Sequence, residues 1–370
     1  MKVPFADLVS MHKDLQAGFD EAIEEVFNAG SFILGPAVEQ FEESFAKANG
    51  REHCVGVNSG TSALHLALLA AGVGPGDEVI TTPHTWISTS WAVSYCGATP
   101  VFADVDPKTG NLDPAATAAA ITQKTKALLP VDLYGNPADL VVFESLAEQN
   151  GIALVDDACQ AHGSRLGDRL VGSFGTSACF SFYPGKNLGA AGEGGAIVTD
   201  DADMAARMRR LRNHAQAGAH EHVEIGYNYR MEGLQGAVLG VKLPYLDGWN
   251  NQRRQAAAVY NQMLESIEGA MAPIITPGAD PNWHLYVVRV ANRESVATRM
   301  QENGIDVRFH YPTPVHLQPA YSFLGHTRGS FPEAERYAGE CLSLPMYPGI
   351  TPAQQERVIE ELALAVEVST

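Results

Sequence analysis

Short apolar runs alternate with longer helical segments through the first half of the chain. Residues 53–57, His-Cys-Val-Gly-Val, have strand length, and residues 62–71 read as a helix stopped by Gly72. The alternation then repeats: strand 78–81, helix 86–95 closed by Gly97, strand 100–103, helix 114–121, strand 126–131, helix 138–149, strand 152–155. Asp113 supplies a cap for its helix and Pro114 the first helical position. One more apolar run, 178–182, leads into a Pro-Gly turn. Apolar strands joined by helical crossovers predict an α/β fold with a mostly parallel sheet between helices. Ligands of such sheets gather beyond the carboxyl ends of the strands, so the residues just after each strand carry the functional information.

Composition narrows the class without naming a chemistry. The chain has 370 residues, 45% hydrophobic and 18% charged, which suits a large core and more than one domain. A formal net charge of −18 opposes attachment to nucleic acid or to an anionic membrane surface. An anionic substrate would have to meet positive groups placed locally. No apolar run approaches the ~20 residues that span a bilayer. The opening Met1-Lys-Val-Pro-Phe-Ala-Asp7 lacks the apolar stretch of a signal peptide. The expectation is a cytoplasmic protein. Cys54, Cys96, Cys159, Cys179 and Cys341 are odd in number and form no C-x-x-C pair, so they read as reduced, buried thiols. No His/Cys cluster has the spacing of a metal site.

The strand ends hold the chemistry. Asn58-Ser-Gly60-Thr61-Ser62 leads straight into a helix; its small residues let backbone N–H groups converge, and the helix dipole favours an anion. Thr61 and Ser62 can add hydroxyls, although both are also ordinary capping residues. Thr82-Pro-His84-Thr-Trp86 puts an aromatic ring at a strand-to-helix junction, where it either stacks on a flat heterocycle or packs in the core. Asp156 and Asp157 close the strand at 152. A buried carboxylate there is costly unless it meets a cation; helix capping accounts for one such aspartate more readily than for two. Finally, Ser181-Phe-Tyr-Pro-Gly-Lys186-Asn-Leu-Gly189 holds a lysine on a glycine-flanked turn. A lysine shielded from water loses its proton readily and attacks aldehydes. A lysine, an aspartate for a ring nitrogen, an aromatic stacking partner and a phosphate site together match pyridoxal 5′-phosphate.

With these blocks in order, the chain resembles the DegT/StrS-type nucleotide-sugar aminotransferases, a family of fold-type I pyridoxal-phosphate enzymes. Further blocks carry the resemblance: Ser31-Phe32-Ile-Leu-Gly-Pro36, Asp156-Asp157-Ala-Cys-Gln160-Ala-His-Gly163, Gly226-Tyr-Asn228-Tyr-Arg230-Met231 and His310-Tyr311-Pro-Thr-Pro-Val-His316-Leu-Gln318-Pro319. The likeness implies the aspartate-aminotransferase-like architecture. Residues 1–244 would form the large cofactor-binding domain, with segment 1–35 near the active site. Residues 245–370 would form the small domain that closes the substrate pocket. It also implies roles. Lys186 would hold the cofactor covalently and move protons. Asp157 would face the pyridine nitrogen, Gln160 the ring hydroxyl, and Trp86 the ring face. Gly60, Thr61, Ser62 and Ser181 would bind phosphate. Asn228 would reach the phosphate of a neighbouring subunit's cofactor, implying a homodimer with shared active sites. Phe32, Tyr183, Arg230, His310, Tyr311, His316 and Gln318 would contact substrate, with Arg308 a further candidate for an anionic group. Packing or capping within the loop is an equal reading for His310 and His316, a turn for Asn228, and a plain salt bridge for Arg230 and Arg308.

The implied function is transamination. L-Glutamate would convert the cofactor to its amine form, and a keto sugar on a nucleoside diphosphate would accept the amine. The loop at 310–319 is similar to that of members acting at carbon 3 of a 6-deoxyhexose. A 4-keto nucleotide sugar and a keto-cyclitol are the alternative acceptors. Lys186 separates the chain from related deoxysugar dehydratases, which carry His at that position. A non-catalytic regulatory member is the reading outside enzymology.

Overall fold

The apolar runs pair side by side into one sheet. The computed structural model describes residues 1–369. Its large sheet comprises β1 (His53–Val57), β2 (Glu78–Thr81), β3 (Thr99–Phe102), β4 (Thr125–Leu129), β5 (Ala153–Asp157), β6 (Ser177–Ser181) and β7 (Gly195–Thr199), in spatial order β1-β7-β6-β5-β4-β2-β3. From β6 through β3 all neighbours are parallel. The expected helices follow the strands, at Gly60–Ala70, Ser88–Tyr95, Pro114–Ala120 and Leu140–Asn150. Asp113 caps its helix as anticipated, accepting the Ala116 N–H at 2.6 Å. Pro100 lies in β3, an edge strand, where its missing N–H is tolerated.

The strands are apolar on both faces because both faces are covered. Successive residues enter opposite cores: Val79 and Ile80, Ala127 and Leu128, Val155 and Leu154, Cys179 and Phe180 divide between two clusters of buried side chains. Strand β7 breaks the parallel pattern. It runs antiparallel to both β6 and β1, so the β6–β7 connection returns on the side where β6 ends. That connection carries Lys186.

A third cluster lies in the C-terminal part. It packs an antiparallel sheet, Ala270–Met271, Tyr286–Val290 and Cys341–Leu344, against helices Arg293–Glu302 and Pro352–Ser369. Helix Leu246–Leu264 bridges the cores: Leu246 packs with the first, Ala256, Ala257 and Tyr260 with the third. The chain's beginning also joins the third cluster. Val3 is buried there and exchanges backbone bonds with Gly304 and Asp306. The next residues then cross back toward the sheet. No helix of the described residues is long and apolar enough to cross a membrane.

Candidate active site

A cavity of about 800 Å³ opens between the carboxyl edge of the large sheet and the C-terminal unit. Lys186 is on its wall. The lysine's turn is closed by its N–H bonding to the Tyr183 carbonyl (2.8 Å) and by Ala190 bonding back to Phe182 (2.8 Å). Gly189 is required there: a Cβ would lie 2.4 Å from the Pro184 carbonyl oxygen. Beneath the turn, Lys242 donates to the Gly189 carbonyl and lies 3.0 Å from His12 Nε2. Burial pushes the Lys186 pKa down, while the Cys159 and Asp157 side chains oppose that shift. The net direction favours the neutral, nucleophilic amine.

The two successive aspartates part company by strand alternation. Asp157, at the end of β5, reaches the cavity. Its Oδ2 accepts from Thr89 Oγ1 at 2.8 Å and its Oδ1 from the Cys159 N–H at 3.3 Å. Burial raises its pKa; hydrogen bonds from Cys159 and Thr89, then the Lys186 charge, pull the other way. Asp156 is off the cavity, fully buried, and near Asp132 rather than a cation. Burial, then the charges of Asp132 and Asp157, push its pKa up, the direction that favours the neutral acid.

The anion cradle forms where β1 turns into helix Gly60–Ala70. Ser59 caps that helix and accepts the Ser62 N–H at 3.1 Å. Gly60, Thr61 and Ser181 are on the cavity wall. A Cβ at Gly60 would approach Ser181 Cβ to 2.7 Å, so the glycine sets how closely β6 meets the helix start. Thr61 Oγ1 donates to Ser88 Oγ at 2.9 Å. Ser62 departs from expectation. It is buried off the wall, and its hydroxyl donates to Asn58 Oδ1 at 2.7 Å. That bond braces the cap and turns the hydroxyl away from an incoming anion.

Trp86 also lines the cavity, 55% exposed, with its ring centroid 5.5 Å from that of Tyr311. Gln160 accepts the Tyr134 N–H at 2.6 Å and donates to the Tyr311 hydroxyl at 3.1 Å. Tyr183, His310 and Tyr311 complete the sequence-identified lining. His310 Nδ1 pairs with Ser343 Oγ at 2.8 Å, and burial pushes its pKa down to about 4, leaving it neutral.

The other anticipated contacts stay off this wall. His316 is buried, 3.1 Å from Glu335 Oε1 and edge-on to Phe331; it packs the loop. Gln318 donates to the Thr313 carbonyl at 3.4 Å. Phe32 is exposed against Phe27. Arg230 donates to Asn213 Oδ1 at 3.2 Å, and Arg308 pairs with Asp306 at 3.0 Å. Asn228 is exposed, outside its own chain's cavity.

Several lining residues carried no recognised sequence signal. Thr89, in the first turn of helix Ser88–Tyr95, donates to Asp157, and Thr85, in the loop before that helix, lies 3.0 Å from the Thr89 hydroxyl. Their place beyond β2 could have revealed them. Arg253 and His284 reach the cavity only through folding of the C-terminal unit against the sheet; Phe5, Ala6, Asp7, Leu8 and Met11, from the 1–35 segment expected near the active site, also line it.

These residues fit pyridoxal 5′-phosphate. A lysine with a depressed pKa faces a buried carboxylate, an exposed indole face flanks them, and a helix N-terminus supplies N–H donors. The fold and this site define a fold-type I pyridoxal-phosphate aminotransferase. The chain belongs to the DegT/DnrJ/EryC1/StrS aminotransferase family, whose sequence profile matches residues 13–363. It is 45% identical to the dTDP-3-amino-3,4,6-trideoxy-alpha-D-glucose transaminase of Streptomyces venezuelae over 97% of this chain and 95% of that one. The structure of S. venezuelae DesV in complex with a ketimine intermediate superimposes with a TM-score of 0.97 at 45% identity, covering 99% of both chains. NtdA from Bacillus subtilis, solved with bound cofactor PMP, gives a TM-score of 0.91 at 30% identity, covering 99% of this chain and 85% of that one. The protein is a pyridoxal-phosphate-dependent transaminase, and several of its relatives are named as transaminases of dTDP-linked amino sugars.

Proposed function

We propose that this enzyme moves the amino group of L-glutamate to carbon 3 of a 3-keto-6-deoxyhexose carried on a nucleoside diphosphate. The observation that carries the transfer chemistry is the placement of Lys186 and Asp157 on one cavity wall, with the lysine's charge disfavoured by burial. Pyridoxal 5′-phosphate, when bound, withdraws electrons from the substrate carbon attached to it. The protein supplies the rest. Asp157, anchored by Thr89 and the Cys159 N–H, would present a carboxylate to the pyridine nitrogen. Gln160 would meet the ring hydroxyl, Trp86 would cover a ring face, and the cradle at Gly60 and Thr61 with Ser181 would take the phosphate. Lys186 Nζ would hold the cofactor and serve as the base for the proton at the reacting carbon. His310, neutral and held by Ser343, with Tyr311 and Tyr183, offers hydrogen-bonding groups to sugar hydroxyls. The choice of carbon 3 is supported by the S. venezuelae relative, named for a 3-amino sugar.

We also propose a homodimer in which Asn228, exposed outside its own cavity, reaches the cofactor phosphate of the other copy. Sedimentation velocity of wild type would show a dimer; a monomer with full activity would overturn this.

The test offers cofactor-loaded enzyme L-glutamate with 3-keto or 4-keto nucleotide sugars. Formation of a 3-amino sugar with stoichiometric 2-oxoglutarate is expected. Turnover of the 4-keto compounds alone overturns the position, and no turnover of any keto sugar overturns the substrate class.

A further inference from the structure

Three arginines are buried among the described residues: Arg212, Arg253 and Arg293. Arg212 pairs with Glu42, and Arg293 with Glu294. Arg253 pairs with no carboxylate. Its Nη1 donates to three carbonyls, those of Trp283 (3.2 Å), His284 (3.3 Å) and Met346 (3.0 Å). Its Nε is buried without a partner. Carbonyls satisfy donors but do not neutralise the charge, so the guanidinium keeps an uncompensated positive charge 4% exposed. Burial alone pulls its pKa down.

This arginine lines the active-site cavity, in which Lys186 is the only other lysine or arginine. The neighbouring imidazoles do not share the task. Burial holds His284 and His310 neutral, and the charges of Lys186 and Arg253 depress His284 further. The three carboxylates on the wall are occupied or exposed: Asp157 is held by Thr89 and the Cys159 N–H, Asp7 accepts the Ser10 N–H at 3.0 Å, and Glu193 is exposed. Tyr347, beside Met346 in the chain, is also a wall residue, and its buried hydroxyl has only Gln354 near it. A buried cation with a spare N–H, together with a tyrosine of the same cavity, is a donor set a carboxylate takes up.

We propose that Arg253, aided by Tyr347, binds a carboxylate of the amino donor. This rests on the reading that an amino acid supplies the amine. A keto hexose of the proposed kind carries no carboxylate, so Arg253 acts in the donor half-reaction and not in the sugar half-reaction. It is a binding residue for one of the two substrates that share the cavity.

The experiment follows the donor half-reaction by loss of the cofactor's visible band, with L-glutamate, L-glutamine and L-isoglutamine. Glutamine lacks the side-chain carboxylate and isoglutamine the α-carboxylate. In wild type, one amide is expected to react about 100-fold less efficiently than glutamate. In Arg253→Gln that penalty falls to within a few-fold, because glutamate itself weakens. Arg253→Lys keeps charge but not the fork, gives an intermediate penalty, and carries the test if Arg253→Gln does not fold. The amine form of each variant should still react with the keto sugar nucleotide at wild-type apparent affinity. The inference is overturned if both amide penalties are the same in wild type and variants, or if the variants weaken the nucleotide sugar instead. A wild-type enzyme that ignores L-glutamate overturns the donor assignment and this inference with it; unchanged penalties in an active enzyme overturn this inference alone.

Discussion

Arg212 and Arg253 are the same side chain, equally buried, in opposite circumstances. Arg212 sits inside the large unit, where its guanidinium meets Glu42, and Glu42 also takes the Gly56 N–H at 2.7 Å. Arg253 sits where two cores meet around a cavity and finds only carbonyls. Inside the layer the guanidinium is neutralised by the fold's own carboxylate, although its Nε stays unpartnered. At the seam between units Arg253 has no such carboxylate. An unpaired charge sealed within a layer would cost stability with no return, whereas at the seam a ligand can supply the missing partner.

The largest effect should come from the seam. Lys186→Ala should abolish the cofactor's visible band and lower turnover on the order of 10⁴-fold while leaving the urea midpoint near wild type. Loss of stability without loss of activity would break the comparison. Next, Arg212→Ala strands Glu42 in the interior and should destabilise by about 3–5 kcal/mol in chemical denaturation. Its glutamate dependence should be unchanged. A third test uses buried bases left neutral. His84, whose Nε2 lies 2.9 Å from the Tyr134 hydroxyl, is depressed by burial to about 4. Between that value and its ordinary one the unfolded chain binds the extra proton, so this share of stability is present above about pH 6.5 and is lost as pH falls toward 4. The loss from this histidine at pH 5 relative to pH 8 should be about 1–2 kcal/mol. A His84→Gln variant, compared in urea at both values, should show a correspondingly flatter acid dependence. The smallest effect is expected at Arg308, which pairs with Asp306 in water. Arg308→Ala should change stability by no more than about 0.5 kcal/mol and leave both half-reactions intact. A marked rise in the KM for either substrate would bring Arg308 back to the site.

The parts legible in the chain were those with local causes. The βα alternation, the Asp113 cap and the glycine-flanked Lys186 turn each depend on a few adjacent residues, and the structure places them as the pattern indicated. The loop at 310–319 was legible only in part. Its first two residues line the cavity, but His316 turns inward to Glu335 and Phe331, because a buried imidazole is better served by a carboxylate than by a wet wall. Ser62 likewise spends its hydroxyl on Asn58. Both residue types can cap, pack or bind, and neighbours distant in sequence decide which.

The alternation of apolar strands and helices alone points to a mostly parallel sheet buried on both faces. It also indicates that Lys186, Asp157 and the Gly60–Thr61 turn follow strands whose carboxyl ends face one side. Three decisions belong to tertiary packing. Antiparallel β7 returns the Lys186 connection to the sheet's carboxyl edge. Alternation in a paired strand sends Asp157 to the cavity and Asp156 into the core. Helix Leu246–Leu264, spanning two cores, brings Arg253 to the same wall from a distant part of the chain. Propensity and periodicity act over neighbouring residues, whereas the charge balance of a cavity depends on every element that closes around it.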